Sequence, residues 1–257
     1  MWENIYFMTS LEMQKKVAII PARYKSSRFP GKPLAKILGK SLLQRTYENV
    51  LAHGLFDDIY IATDDNEIFQ HAKSFNSKCI MTSEYCRSGT ERIIEAIKNL
   101  RLNDSSIIVN IQGDHPCISS NTIKAVIDIL ENDSAANVST AVSAVSFEEA
   151  QNPNVVKCVF DKYQSALYFS RSCIPFPKNN TVFYYHIGIY AYRLSFLKNY
   201  HLLPDGNLQC TEDLEQLKIL ENGYKIKVAL VVEEELGVDV PQDIGKIENF
   251  FATKKKN

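Results

Sequence analysis

Short apolar blocks and helically spaced apolar positions alternate along the first half of the chain. Residues 17–20 (VAII) are an unbroken apolar block, the pattern of a strand buried on both faces. Residues 41–54 (SLLQRTYENVLAHG) then space their apolar positions by three and four, with Ser41 placed to cap a helix and Gly54 just past its end. The alternation continues as a strand over 58–64 (DIYIATD), a helix over 66–75 and a strand over 78–81 (KCIM). A helix over 88–100 follows, capped by Ser88 or Thr90, with Ile93, Ile94 and Ile97 on one face. SSIIVNIQGD (105–114) is the most apolar strand, and SSNTIKAVIDILEN follows it as a helix. Such alternation predicts a mostly parallel sheet with helices on both faces.

From about residue 137 the pattern changes to short, aromatic-rich strands: VSTAVSAV, VVKCVF, SALYFS and VFYYHIGIYAY. These predict an antiparallel extension. A helix over 211–223, a strand over 225–232 and a helix from 241 close the chain. No Gly/Ser/Pro-rich linker and no repeat interrupts it. The prediction is one α/β domain over 16–252, with a mixed, mostly parallel Rossmann-like sheet. A poorly ordered leader over 1–15 precedes it. An insertion near 150–190 is suited to dimerisation, since its aromatic strands would otherwise expose an apolar edge.

A net charge of −1 argues against nucleic acid or any other polyanion as a partner of the whole surface. The six cysteines form no C-x-x-C pair and no zinc-type spacing, which points to inert thiols in a reducing, cytoplasmic setting. No run of 18 apolar residues occurs, so no membrane span is expected. One local bias changes the picture. From Met13 to Tyr47 there are nine Lys or Arg residues and no Asp or Glu. Within that stretch Arg23, Lys25, Arg28 and Lys32 sit on a loop stiffened by Pro21, Pro30 and Pro33, directly after the first strand. Open α/β sheets bind ligands beyond the carboxyl ends of their strands. A fixed cationic loop there suits a phosphate chain. LAKILGKS (34–41) ends like a P-loop, but Leu34 stands where that motif needs glycine.

PARYKSSRFPGKPL, ATD (62–64), SGTER (88–92), VNIQGDHP (109–116), NPNVVK (152–157), ALYFSR (166–171), HIGIYAY (186–192), LEQL (214–217) and GVDVPQD (237–243) follow one another in this order. From about Lys16 to Phe250 the chain closely resembles the 3-deoxy-manno-octulosonate cytidylyltransferases, or CMP-Kdo synthetases. The resemblance implies transfer of CMP from CTP to 3-deoxy-D-manno-octulosonate (Kdo), with release of pyrophosphate, for lipopolysaccharide inner-core synthesis. It assigns Arg23 and Lys32 to the CTP phosphates with Arg28 as helper, and Asp114 and Asp239 to Mg2+. Ser88 and Gln112 complete the CTP contacts it implies. The sugar pocket it implies comprises Gln112, Arg171, His186, Tyr190, Glu215 and Gln216.

Taken alone, each of these aspartates reads as a turn residue, His186 as a core histidine, Arg171 as a surface ion pair and Glu215 as part of a solvated helix face. Only the motifs around them raise them to site residues. One departure stands out: the family motif is QGDEP, so His115 replaces a glutamate. No general base is apparent, and loose phosphoryl transfer requires little beyond positioning and metal. Three other readings are weaker. A CMP-sialic acid synthetase shares the phosphate loop but not QGDHP, HIGIYAY and LEQL. A metal-dependent glycosyltransferase needs an Asp-x-Asp pair where this chain has GDHP. A nucleotide-binding module without chemistry is disfavoured by the joint presence of Arg23, Lys32, Asp114 and Asp239.

Overall fold

A computed structural model of the chain describes residues 14–25, 29–232 and 235–254. The leader expected over 1–15 lies outside them but for Gln14 and Lys15, and so does Arg28 of the cationic loop. In chain order the elements are β1 (Lys16–Ala22), a 3-10 turn (Lys32–Leu34), β2 (Lys36–Ile37), β3 (Lys40–Ser41), α1 (Leu42–Ala52), β4 (Asp58–Thr63) and α2 (Asn66–Ser74). Next come β5 (Lys78–Met81), α3 (Gly89–Ile97), β6 (Ile107–Asn110), α4 (Ser120–Asn132), β7 (Val138–Val145) and α5 (Phe147–Ala150). The chain closes with β8 (Lys157–Phe160), β9 (Ala166–Ser170), β10 (Phe183–Arg193), α6 (Leu194–Tyr200), α7 (Asn207–Glu212), α8 (Gln216–Glu221), β11 (Ile226–Val231) and α9 (Asp243–Lys254).

The main sheet runs β11-β7-β10-β6-β1-β4-β5. Its β6-β1-β4-β5 half is parallel, as the β–α alternation predicts. The antiparallel part enters this sheet as well as extending it. β10 is antiparallel to both β6 and β7, β11 is parallel to β7, and β8 and β9 form a hairpin beside β10. Successive residues of β1 serve opposite faces, because side chains alternate along a strand. Ala18 and Ile20 pack with α1, α2 and α4, while Val17 and Ile19 pack with α3, α6 and α8. Ser41, Asp65, Ser88 and Ser119 each accept a backbone N–H at a helix start, which is why those helices begin where they do. A third apolar cluster, including Ile37, Leu42, Cys117, Val238 and Ile247, seats α9 against β2 and α1. It thereby brings the segment before α9 to the carboxyl end of β6.

One expectation is corrected. The helix expected over 211–223 is two helices, broken by Asp213 in the left-handed region (φ 52°). Arg171 explains the break: its Nε donates to the Glu212 carbonyl at 2.7 Å and its Nη2 to that of Asp213 at 3.1 Å. Helices α5 and α6 and the β2–β3 hairpin were not anticipated. The hairpin occupies the false P-loop and turns on Leu38 (φ 47°) and Gly39 (φ 83°), two positive φ values suited to a tight hairpin. All six cysteines are free. Cys117 and Cys158 are buried, burial pushes Cys158 up to about 12, and Cys210 is exposed.

Candidate active site

Beyond the ends of β1 and β6 lies a cleft of about 220 Å3 whose lining includes Pro21, Arg23, Lys32, Ser88, Gln112 and Asp114. Its cationic wall is shaped by local backbone. Gly31 N donates to the Tyr24 carbonyl at 3.0 Å, closing the loop on itself. At φ 70° Gly31 then turns the chain into the 3-10 turn, where a side chain would be strained and would meet the Tyr24 ring at 3.3 Å. Pro33 is buried in that turn, which leaves Lys32 facing the cleft.

The Lys32 ammonium donates to Asp114 Oδ2 at 2.5 Å and to the Val238 carbonyl at 2.8 Å. Val238 N returns a bond to the Asp114 carbonyl at 2.9 Å. Three loops, those after β1, after β6 and before α9, therefore meet at one ammonium. Burial alone would raise the Asp114 carboxyl, but the neighbouring His115 and Lys32 outweigh it and hold the group below the usual carboxylate range. His115 Nε2 lies 3.8 Å from Asp114 Oδ1, and its ring packs on Gly237, where a Cβ would come within 3.1 Å. The other ring nitrogen, Nδ1, is buried without a hydrogen-bond partner among the described residues.

Asp239 follows Val238 on the loop that Lys32 holds, and its backbone N–H is bound by Asp243 Oδ2 at 3.0 Å. An ammonium held by a carboxylate and a carbonyl marks this point as one that favours a cation among oxygens. Two carboxylates on adjoining loops are a donor set that fits magnesium, which takes one or two protein carboxylates and completes its shell with phosphate and water. Among the described residues no group of three or more His, Cys, Asp or Glu could hold a metal alone.

The opposite wall is the first turn of α3. Ser88 spends its hydroxyl capping that helix, accepting from Glu91 N at 3.2 Å. Gln112, which also lines the cleft, donates from Nε2 to the Gly188 carbonyl at 3.2 Å. There the β10–β7 register shifts between His186 and Tyr190, around Gly188 at φ 84°. The shift leaves an aromatic ladder: Phe169 to His186 at 5.0 Å, His186 to Tyr190 at 5.2 Å and Tyr190 to Tyr192 at 5.7 Å between ring centroids. Thr140 Oγ1 donates to the Ile189 carbonyl at 2.6 Å, so His186 Nε2, 2.8 Å away, must be the donor to that hydroxyl. His186 is thus the Nε2–H tautomer with Nδ1 left as an acceptor. Burial, reinforced by His115, lowers it to about 3, so it is neutral.

The remaining sugar-pocket residues sit around the α7–α8 corner. Glu215 begins α8, not mid-helix, and accepts from Thr90 Oγ1 at 2.7 Å. Gln216 beside it is buried. Arg171 clasps the corner carbonyls, while Glu212 accepts from Ser170 Oγ at 2.6 Å and from Arg171 N at 2.8 Å. The expected residues thus divide into a cleft group (Arg23, Lys32, Ser88, Gln112, Asp114, with Asp239 adjoining) and an aromatic and corner group (His186, Tyr190, Glu215, Gln216, Arg171).

A family model described as cytidylyltransferase matches residues 17–226. A 3-deoxy-manno-octulosonate cytidylyltransferase of Protochlamydia amoebophila is 51% identical over 242 residues, 91% of this chain and 93% of that one. The chain belongs to the 3-deoxy-manno-octulosonate cytidylyltransferase family. A relative of the same name from Chlamydia trachomatis serovar L2 is 48% identical over 254 residues, covering 97% of this cytidylyltransferase and 98% of that protein. Among solved structures, a CMP:2-keto-3-deoxy-manno-octonic acid synthetase complexed with CTP superposes with a TM-score of 0.88 at 39% identity, covering 94% of this chain and all (100%) of that one. A 4-diphosphocytidyl-2C-methyl-D-erythritol synthase from Anaerococcus prevotii, at 15% identity and a TM-score of 0.62, shares the fold.

In this cytidylyltransferase the sequence reasoning overlooked Arg92, which lines the cleft. Buried to 3% exposure, it donates to Thr82 Oγ1 at 2.6 Å and Asp64 Oδ2 at 2.9 Å, tying the ATD segment to SGTER. A signal was present: an arginine on the apolar face of α3 has to find an acid, and Asp64 ends the neighbouring strand motif. Gly113 was also missed. A Cβ there would stand 3.0 Å from the Pro21 carbonyl, so its backbone approaches β1 as only glycine allows.

Proposed function

We propose that this chain transfers CMP from CTP to Kdo for lipopolysaccharide inner-core synthesis. The anomeric hydroxyl oxygen of Kdo bonds to the α-phosphorus and its proton passes to solvent. The bond from that phosphorus to the pyrophosphate oxygen breaks. The observation that carries the reading is the junction of Lys32, Asp114 and Val238 in the cleft of a chain from this family. Arg23 and Lys32 hold and neutralise the triphosphate, with Arg28 assigned beside them on the strength of its motif. Asp114 and Asp239 would hold magnesium, which would supply charge neutralisation on the phosphates and a Lewis acid beside the sugar hydroxyl. Ser88 and Gln112 border the nucleotide.

Arg171, His186, Tyr190, Glu215 and Gln216 shape the sugar side. A histidine held near 3 is a poor proton acceptor at neutral pH, so His186 serves as a hydrogen-bond acceptor through Nδ1 and not as a general base. The exposed Leu167, Phe176 and Val182 on and beside the β8–β9 hairpin support a homodimer formed through the 150–190 insertion. A cytoplasmic site of action accords with CTP as substrate and with six unpaired thiols. Among the described residues no helix is long and apolar enough to cross a membrane.

The deciding experiment measures pyrophosphate release from CTP and magnesium with Kdo, with sialic acid and with no sugar. Release that needs Kdo is expected. Release with sialic acid alone overturns the sugar assignment, and none with any sugar overturns the reaction.

A further inference from the structure

The first turn of α3 faces two ways. Ser88 and Gly89 line the nucleotide cleft, whereas Thr90, only 1% exposed, turns inward to Glu215. Thr90 Oγ1 donates to Glu215 Oε1 at 2.7 Å, and the carboxylate takes no other hydrogen bond among the described residues. A carboxylate has room for about four, so most of its accepting capacity is unspent. No salt bridge reaches it among the described residues. Its neighbours are phenols: burial first, and Glu215's charge after it, pushes up both Tyr192 and Tyr200.

A second polar group on this face is left unsatisfied. Asn110, fully buried, lies opposite Tyr190 in the β6–β10 register and has no partner among the described residues for either its Oδ1 or its Nδ2. Gly89 sits above it, since a Cβ at 89 would come 3.9 Å from Asn110 Nδ2. Buried polar groups in folded proteins are nearly always paired, so the unpaired Asn110 amide under Gly89, with the half-buried Glu215 carboxylate holding a single donor, points to a ligand that completes them.

We propose that Thr90 is a positioning residue that fixes Glu215 to accept the hydroxyl groups of the acidic sugar, joining the sugar end of the site to the helix turn that borders the nucleotide. With Oε1 held by Thr90, Oε2 is the oxygen that faces substrate. The inference rests on the transferase reading above.

The test compares Thr90→Val with Thr90→Ser. The expected result for Thr90→Val is a KM for Kdo raised about tenfold, as loss of one charge-assisted hydrogen bond implies. Its Kd for CTP, measured by calorimetry without sugar, should stay within about twofold. Thr90→Ser should restore the KM. In a Glu215→Gln background Thr90→Val should add nothing further. An unchanged KM in Thr90→Val, a Ser variant as impaired as the Val one, or CTP affinity falling in step with sugar affinity overturns the proposal. If Thr90→Val does not fold, Thr90→Cys, a weaker donor of similar size, takes its place and must show the same split. Wild-type enzyme that releases no pyrophosphate with Kdo refutes the functional reading, and this inference with it. An active wild type with an indifferent Thr90 variant refutes the role of Thr90 alone.

Discussion

Lys32 and Asp114 show how one contact can serve both structure and chemistry. The 2.5 Å ion pair keeps the Asp114 carboxylate charged and ties the loop after β1 to the loop before α9 through Val238. Asp114→Asn keeps the shape and removes the charge, and should lower pyrophosphate release by about 10²-fold or more with a melting temperature close to wild type. Lys32→Met should lower kcat by a similar factor, about 10²-fold, and cost some stability as well, since it strips the Asp114 carboxylate of its donor. Differential scanning calorimetry beside the rate assay separates the two effects. His186 sets a pH dependence of stability. Its folded pKa of about 3 lies below the ordinary 6.5, so the unfolded chain binds the extra proton in between. The stability its neutral form contributes is complete above about pH 6.5 and drains as pH falls towards 3, by at most about 1.4 kcal/mol per pH unit. Asp114, with its lowered pKa, loses its own contribution only at more acid pH, below the ordinary aspartate value of 3.8. Urea denaturation of His186→Phe at pH 7 and pH 5 should show a smaller fall than wild type, and an equal fall would rule this histidine out as the cause.

Among elements, those governed by local sequence were legible and those governed by distant partners were not. The caps at Ser41 and Ser88 and the apolar block of β1 carry their own signals within a few residues. The break between α7 and α8 does not, because its cause is the guanidinium of Arg171, far away in sequence. Likewise Glu215 looked like an exposed helix position until the break made it the first corner of α8. The insertion of β10 between β6 and β7 is a matter of pairing, which a single aromatic strand cannot announce. Gly113 tests how tightly two elements are fitted. Its absent side chain lets the turn after β6 approach Pro21, and Gly113→Ala would put a methyl 3.0 Å from that carbonyl. The variant should melt several degrees lower and bind CTP about tenfold more weakly by calorimetry, because Pro21 and Gly113 both line the cleft.

For the whole molecule, the cationic wall of the cleft was readable because its charge is concentrated in one stretch without acids. The residues proposed for the sugar were singled out only through motif resemblance, since an isolated His, Tyr or Glu in an apolar setting has no signature of its own. Arg92 was hidden for the opposite reason, its charge being absorbed by Asp64 inside the fold. Phe176, 78% exposed, and Leu167, 62% exposed, should become covered in a homodimer. Light scattering at micromolar concentration should give twice the chain mass, and Phe176→Glu with Leu167→Glu should give the chain mass. A monomer in the unmodified protein ends the idea. The place of β10 has a consequence for synthesis on the ribosome. Strands β1, β4, β5 and β6 emerge first, yet the outer edge of β6 gains its neighbour only when residues 183–193 have been made. Gln112 meanwhile lacks the Gly188 carbonyl, and Lys32 lacks that of Val238. The nascent first half thus leaves the tunnel as a sheet with a bare edge and an unfinished cleft. The Lys32 junction is completed only once Val238 has cleared the tunnel.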